Sequence, residues 1–305
     1  MTDDSNPIEL SWEWDGAAKP TIRFSVEPVD TDAGNACNPT NSRAAMTFKN
    51  RMSKAIPDSD MLWFEHFDRI FNHETSKASC LSPRSPEGHS PRIFWAFDFG
   101  EEGLKSKAYF FPGYTAEMMG KSNLEVISEA ISTAPFSSAE NLEAYRMITR
   151  FQGKLAKATL EIDMLAIDLV DPMQSRLKLY FRNRETSFRS VREMMTLGGQ
   201  ISNIGLEKGL CELKQLWSDL FGQGEVEETP LPYNNHRTAG ILYNVEFRLG
   251  NKEPNVKIYI PVRHYARNDL QIMRTVSKFA GGGSMPRKGN KPTGGAYVKA
   301  IDTVL

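Results

Sequence analysis

RLKLYFR, residues Arg176–Arg182, reads as a β-strand with two unlike faces. Strand side chains alternate, so Arg176, Lys178 and Tyr180 point one way and Leu177, Leu179 and Phe181 the other. The same basic-x-aromatic triplet recurs as Lys107-Ala108-Tyr109 and Lys257-Ile258-Tyr259, again backed by apolar residues: Ala108 and Phe110, Ile258 and Ile260. One such triplet alone reads as solvent-facing, because lysine is seldom buried. Three copies at equivalent places, each with an apolar face that needs cover, reverse that reading. Helices cover the apolar faces, and the Lys/Tyr rows line the inside of a curled sheet. Such a lumen is cationic and tyrosine-lined, suited to holding a polyanion beside an electron-deficient group.

Outward from these triplets the strands come in pairs: Leu10–Trp14 with Thr21–Glu27, Ile93–Phe99 with Lys105–Phe111, Met164–Val170 with Arg176–Arg182, and Ile241–Leu249 with Val256–Val262. Short turns rich in Gly, Pro, Asp or Asn separate the partners, marking each pair as a hairpin. Helical stretches lie between hairpins at Asn41–Arg51, Trp63–Phe71, Leu124–Ala134, Ala139–Leu160, Ser187–Leu197 and Glu207–Phe221, with Asp58, Ser122, Ser138 and Ser190 as cap candidates. The order ββαα repeats about four times. Hairpins laid edge to edge, polar face inward, give an α+β fold: an antiparallel barrel ringed by helices. It occupies residues 1–280, and the Gly/Lys-rich tract from Gly281 to Leu305 reads as a flexible tail.

Bulk properties set bounds. Of the 305 residues 40% are hydrophobic and 25% charged, ordinary for a globular protein. No apolar run is long enough to span a membrane, and the acidic start MTDDSNPIEL is no signal-peptide n-region. A net charge of −1 argues against nucleic acid as partner and makes any anion site local. Cys37, Cys80 and Cys211 are scattered, which suggests a reducing, cytoplasmic compartment and no disulfide framework.

The segments IELSWEW (Ile8–Trp14), RFSVEP (Arg23–Pro28), KAYFFPG (Lys107–Gly113), DPMQSRLKLYFR (Asp171–Arg182), TSFRSVREMMTLGG (Thr186–Gly199) and KIYIPVRHYARND (Lys257–Asp269) together resemble fungal indole prenyltransferases of the dimethylallyltryptophan synthase family. The resemblance runs from about Ile8 to about Ala280. It implies a barrel of repeated αββα units, the ABBA fold, enclosing an active site. It further implies transfer of a dimethylallyl group from dimethylallyl diphosphate to an aromatic, indole- or tryptophan-derived acceptor, in secondary-metabolite (alkaloid) biosynthesis. Carried onto this chain, it makes Arg23, Lys107, Arg176, Lys178 and Lys257 the diphosphate ligands. Tyr109, Tyr180 and Tyr259 become the shield around the prenyl cation and Glu9 the acceptor of the indole N–H. Lys178, by its position, could also help move the proton lost when the ring becomes aromatic again. Family members carry a helical region before the Glu-x-Ser-Trp motif and a fifth hairpin after the fourth. This chain reaches the motif at residue 9 and has four evident hairpins, so it is expected to be shortened at both ends. Open edges would then favour a homodimer, and a non-catalytic ligand-binding derivative is the alternative to an active transferase.

Other constellations carry less. There is no aspartate-rich box to hold Mg²⁺ on a diphosphate, which fits basic side chains in place of a metal, and no cofactor is expected. His66 and His73 lack a Cys or carboxylate partner, so they read as core or surface histidines. Gly198-Gly199 reads as a helix C-cap, and Met194, Met195 and the tryptophans as core or pocket lining.

Overall fold

A computed structural model of the chain describes residues 6–13, 21–33, 35, 38, 41–72, 91–100, 103–154, 160–224 and 226–282. Trp14, Cys37, His73, Cys80 and residues 283–305 of the expected tail lie outside them. Four hairpins form: β1 (Ile8–Glu13) with β2 (Thr21–Val26), β3 (Ile93–Gly100) with β4 (Gly103–Phe110), β5 (Leu160–Asp168) with β6 (Leu177–Asn183), and β7 (Ile241–Phe247) with β8 (Asn255–Tyr259). Each also pairs antiparallel with the next, giving one sheet in the order β1-β2-β3-β4-β5-β6-β7-β8. The sheet curls: the charges of Glu9 on β1 and Arg23 on β2 are both felt by Tyr259 on β8. Among the described residues β1 and β8 each have one side without a strand neighbour.

Between hairpins run α1 (Ser42–Ala55) and α2 (Leu62–Phe71), then α3 (Gly113–Met119), α4 (Asn123–Ser132) and α5 (Glu143–Gln152), then α6 (Phe188–Met195) and α7 (Ile204–Phe221), and last α8 (Val262–Tyr265) and α9 (Asp269–Gly282). The core lies between these helices and the outer face of the sheet. On α2, Trp63, Phe64, Phe67 and Phe71 share one buried stripe, the spacing of an amphipathic helix. Phe64 packs on Trp95 of β3 with ring centroids 4.6 Å apart, and Phe67 on Phe110 of β4 at 5.9 Å. Tyr145 of α5 stacks on Phe247 of β7 at 5.9 Å, and Phe188 of α6 meets Trp217 of α7 at 6.1 Å. Each such ring contributes roughly 2–3 kcal/mol by leaving water. The apolar partners of the triplets, Ala108, Phe110, Leu177, Leu179 and Phe181, are all within this core.

The polar-in, apolar-out reading therefore holds, while several boundaries move. The expected helix Ala139–Leu160 is only α5, and Leu160 instead opens β5, because pairing of Leu160–Ile162 with Phe181–Asn183 overrides helical periodicity. The last strand stops at Tyr259 and not at Val262: Pro261 has no N–H to donate, and α8 begins after it. Helices α3 and α9 add to the helices read from the sequence, and α9 crosses the 280/281 boundary by two residues. Ser122 caps α4 with a full capping box through Glu125. The cap of α6 is Ser187, whose hydroxyl accepts from the Ser190 N–H, and not Ser190 itself. Asp60, not Asp58, accepts from the first N–H of α2, and Ser138 bonds Asn141 in the turn before α5. His66 is half-buried, its ring edge-on to Phe67 at 5.1 Å and its Nε2 2.8 Å from the Ala130 carbonyl. Met194 and Trp63, Trp95 and Trp217 are buried as read, and Cys211 is an exposed thiol. Gly198 and Gly199 are left-handed, at φ 67° and 81°, in the turn that ends α6. No helix among the described residues is long and apolar enough to cross a membrane.

Two glycines test the packing in opposite directions. Gly240 enters β7 at φ +88°, and an added Cβ would meet the Asn183 carbonyl oxygen at 2.6 Å. Gly240→Ala is expected to destabilise by about 2–3 kcal/mol, since both the conformation and the space refuse a side chain. Gly209, inside α7 with nothing within 4 Å of its virtual Cβ, should gain about 0.5–1 kcal/mol as Ala. Guanidinium unfolding midpoints measure both, and equal effects would contradict the stated geometry.

Candidate active site

The inner face of the sheet carries charge in an ordered ladder. Register sets Arg23 of β2 opposite Asp98 of β3, Lys107 of β4 opposite Asp168 of β5, and Lys178 of β6 opposite Glu246 of β7. Asp98 and Glu246 each tie together cations that come from two different strands, and Asp168 holds two cations of the same strand segment. Asp98 accepts from Arg23 Nε at 2.6 Å and Nη2 at 3.0 Å, and also from Lys107. Asp168 accepts from Arg176 Nε at 2.7 Å and from Lys178 Nζ at 2.5 Å. Glu246 lies 3.4 Å from Arg176 Nη1 and 3.1 Å from Lys257 Nζ. All five basic residues singled out in the sequence thus sit on these carboxylates in two adjacent sets, Arg23 and Lys107 on Asp98, and Arg176, Lys178 and Lys257 on Asp168 and Glu246, which face each other where Lys107 stands opposite Asp168 and feels its charge. The three carboxylates that join them were not singled out, although a signal was present: each is an acid between apolar neighbours in the first strand of a hairpin, as Phe97-Asp98-Phe99, Ile167-Asp168-Leu169 and Val245-Glu246-Phe247.

Five cations against three carboxylates leave a surplus of two positive charges in a partly dry lumen. Burial acts to raise the Asp168 carboxyl, but the Lys178 charge and the hydrogen bonds from Arg176 and Lys178 win and hold it well below the usual carboxylate range. Asp98 is likewise held down, with burial outweighed by its bonds from Arg23 and Lys107. Burial pushes the Lys178 ammonium down to about 8, against the pull of Asp168 and helped by the Arg176 and Lys107 charges. Lys107 moves down for the same first reason, burial.

Beside the cations, the three tyrosines form a continuous row. Tyr109 and Tyr180 have ring centroids 5.8 Å apart, and Tyr180 and Tyr259 6.2 Å. Burial pushes the Tyr109 phenol up to about 12 and the Tyr180 phenol well above its ordinary value, so both stay neutral. Two residues beyond Tyr180, Arg182 donates from Nε to Asp163 Oδ2 at 3.0 Å. Glu9 sits on the open edge strand β1, opposite Ser25 of β2 and exposed, with its charge reaching Tyr259. No group of three or more His, Cys, Asp or Glu able to hold a metal ion occurs among the described residues. Chemically, the face offers charge-assisted hydrogen bonds to a polyanion and, next to them, aromatic faces that attract a cation while excluding water.

Asp168 is the joint of the ladder. Asp168→Asn is expected to destabilise by about 3 kcal/mol, because it strands the buried Lys178 and leaves the half-buried Arg176 with Glu246 alone. A carboxyl with a depressed folded pKa contributes stability above its unfolded value, near 4, which is lost as pH falls through the folded one. The variant should therefore lose stability at pH 7 and show a flatter acid limb than the parent. Parallel urea melts from pH 7 to pH 3 read this, and coincident acid limbs would refute it.

A family profile described as tryptophan dimethylallyltransferase matches residues 1–285. The chain is 34% identical over 284 residues to 4-O-dimethylallyl-L-tyrosine synthase of Claviceps purpurea, covering 92% of this chain and 63% of that protein. It is 35% identical over 290 residues to 7-dimethylallyltryptophan synthase of Aspergillus fumigatus, covering 92% and 61%. It thus spans about three fifths of the length of these relatives. The crystal structure of AnaPT from Neosartorya fischeri superposes with a TM-score of 0.83 at 26% identity, over 99% of this chain and 70% of that one. The extent of the match, in sequence and in the αββα barrel alike, leads to one conclusion: this chain belongs to the tryptophan dimethylallyltransferase family.

Proposed function

We propose that this chain transfers a dimethylallyl group from dimethylallyl diphosphate to an aromatic acceptor derived from tryptophan or tyrosine, without a metal ion. The observation that carries this reading is the surplus-positive ladder of Arg23, Lys107, Arg176, Lys178 and Lys257 lying against the Tyr109, Tyr180 and Tyr259 row. A ladder without those tyrosines would be an anion site alone.

In this reading the diphosphate lies on the cations. The bond between the prenyl carbon and the phosphate oxygen breaks with its electron pair moving to the diphosphate. Preorganised Arg and Lys stabilise that charge as it develops, the differential interaction a catalyst needs. The allyl cation left behind is attracted to the neutral tyrosine faces by on the order of 2 kcal/mol when desolvated, and the same rings keep water away. A nucleophilic atom of the acceptor attacks, and its proton is then lost. Glu9 accepts the hydrogen bond of an indole N–H and raises electron density in the ring, while Lys178 helps to move the proton. The relatives' names include both a tyrosine oxygen and a tryptophan ring position, so the acceptor is written here as a class.

Incubating the protein with dimethylallyl diphosphate and L-tryptophan or L-tyrosine should give a prenyl mass gain by mass spectrometry, undiminished in excess EDTA. Glu9→Gln should lower turnover with an indole acceptor by about two orders of magnitude, the usual scale of acid–base assistance. Loss of activity on chelation, restored by Mg²⁺, would overturn the metal-free reading.

The depressed Lys178 yields a pH signature. A lysine near 8 is increasingly neutral above that pH, and a bound polyanion favours its charged form. Affinity for inorganic pyrophosphate should hold below pH 8 and fall roughly tenfold by pH 9, one pH unit past the pKa. Lys178→Arg, cationic throughout, should bind equally at both. Calorimetric titrations at pH 7 and 9 decide, and an unchanged parent affinity would remove Lys178 from the anion site.

A further inference from the structure

The far end of the inner face carries a second charge arrangement that the diphosphate and the prenyl cation do not use. Pairing of β5 with β6 slips between Ile162 and Met164, so Asp163 occupies an irregularity in the strand. Such a bulge re-aims a side chain, and Asp163 here reaches Arg182, which shares the inner face with Lys178 and Tyr180. Arg182 Nε and Nη2 meet the same oxygen of Asp163, Oδ2, at 3.0 and 2.9 Å, while Oδ1 accepts no hydrogen bond among the described residues. The third arm of Arg182 is spent on the Thr238 carbonyl at 2.8 Å. One ring further out, Arg184 and Glu161 pair at 3.2 Å. Burial raises the Asp163 carboxyl above its ordinary value in spite of Arg182. Its negative charge is under-compensated, and a further cationic donor at Oδ1 would relieve it.

We propose that Asp163 receives the α-ammonium group of a free aromatic amino acid through Oδ1, and so selects that acceptor class over aromatic compounds without a cationic amine. This rests on the transferase reading above. Position supports it. Along β6 the order is Arg176, Lys178, Tyr180, Arg182, so the pair Arg182–Asp163 lies about 7 Å beyond the tyrosine row at the usual strand rise, away from the basic ladder. Met164, next to Asp163, stands opposite Tyr180. An acceptor whose ring lies at the tyrosines, facing the prenyl cation, carries its α-amine a comparable distance back from that ring. An ammonium group would be repelled among the five cations, whereas at Oδ1 it meets a carboxylate.

The test uses equilibrium binding to the whole chain by calorimetry, with L-tryptophan, L-tyrosine and their des-amino analogues 3-indolepropionic acid and 3-(4-hydroxyphenyl)propionic acid. The parent should bind the amino acids at least about tenfold tighter than the analogues. Asp163→Asn should abolish that preference and leave binding of the analogues unchanged. Should the unpaired Arg182 prevent that variant from folding, the double variant Asp163→Asn with Arg182→Gln removes both charges and must show the same loss. Analogues binding as tightly as amino acids to the parent, or either folded variant keeping the preference, would overturn the assignment. Prenyl transfer to the analogues as efficient as to the amino acids would likewise overturn it while leaving the transferase reading intact. Conversely, no transfer to any acceptor, with the binding preference present in the parent and lost in the variants, would sink the transferase reading and leave Asp163 standing.

Discussion

A row of cations facing inward in a curled sheet is unfavourable unless each is held by a carboxylate, and this compensation organises the structure. Asp98, Asp168 and Glu246 stand on the strands adjacent to Arg23, Lys107, Lys178 and Lys257, so the ladder forms only when the strands are in register. A one-residue slip would turn every Lys and Tyr into the helical layer. The ladder is not a source of net stability, because desolvation of buried ion pairs offsets much of their attraction. What stabilises the fold is the outer face, where apolar strand residues meet the aromatic stripe of α2 and its counterparts on α5, α6 and α7. The polar face and the apolar face have exchanged their common places, and the helices outside are the physical requirement of that exchange.

Incomplete compensation is where chemistry can enter. Burial, helped by the neighbouring Arg176 and Lys107 charges, brings the Lys178 ammonium down to about 8, while burial pushes the phenols beside it away from ionisation. One inner face thus contains a group that can change charge near pH 8 and rings that cannot. The face is also polar along its length: cations first, then the tyrosine row, then the Asp163–Arg182 pair. A ligand with an anionic end, an aromatic or cationic middle and an ammonium end would match that order.

The first hairpin is the least covered part. Ile8, Leu10 and Ile22 are exposed at 48%, 73% and 57%, and Phe99 and Leu104 extend the same outer face. These values mark an apolar surface at the β1 edge that the described helices do not reach, in contrast to the fully covered outer faces of β5, β6 and β7. Glu9 sits on this edge, where its carboxylate has the solvent that Asp168 lacks.

The sequence alone determined the alternation. Three Lys-x-Tyr rows backed by apolar residues specify a sheet that is polar inside and helix-covered outside, because a strand has a period of two and each face can meet only one environment. The hairpin order, Arg176 with the three triplet lysines, the three tyrosines and Ser122 as a cap follow from such local rules, whereas Arg23 and Glu9 enter only through the family resemblance, and the Glu125 half of the capping box only through the structure. Element ends did not: Leu160 is a strand residue only because Phe181–Asn183 lie beside it, and that contact is remote in the chain. The carboxylate joints were likewise beyond a face-by-face reading, since an acid in an apolar strand becomes a partner only once register sets it beside an arginine and a lysine. The tertiary structure alone decided which charges are shared, which proton is loosely held, and that Asp163 leaves one oxygen unbonded among the described residues, because pairing, burial and the slip in β5 are properties of neighbouring strands and not of any one segment.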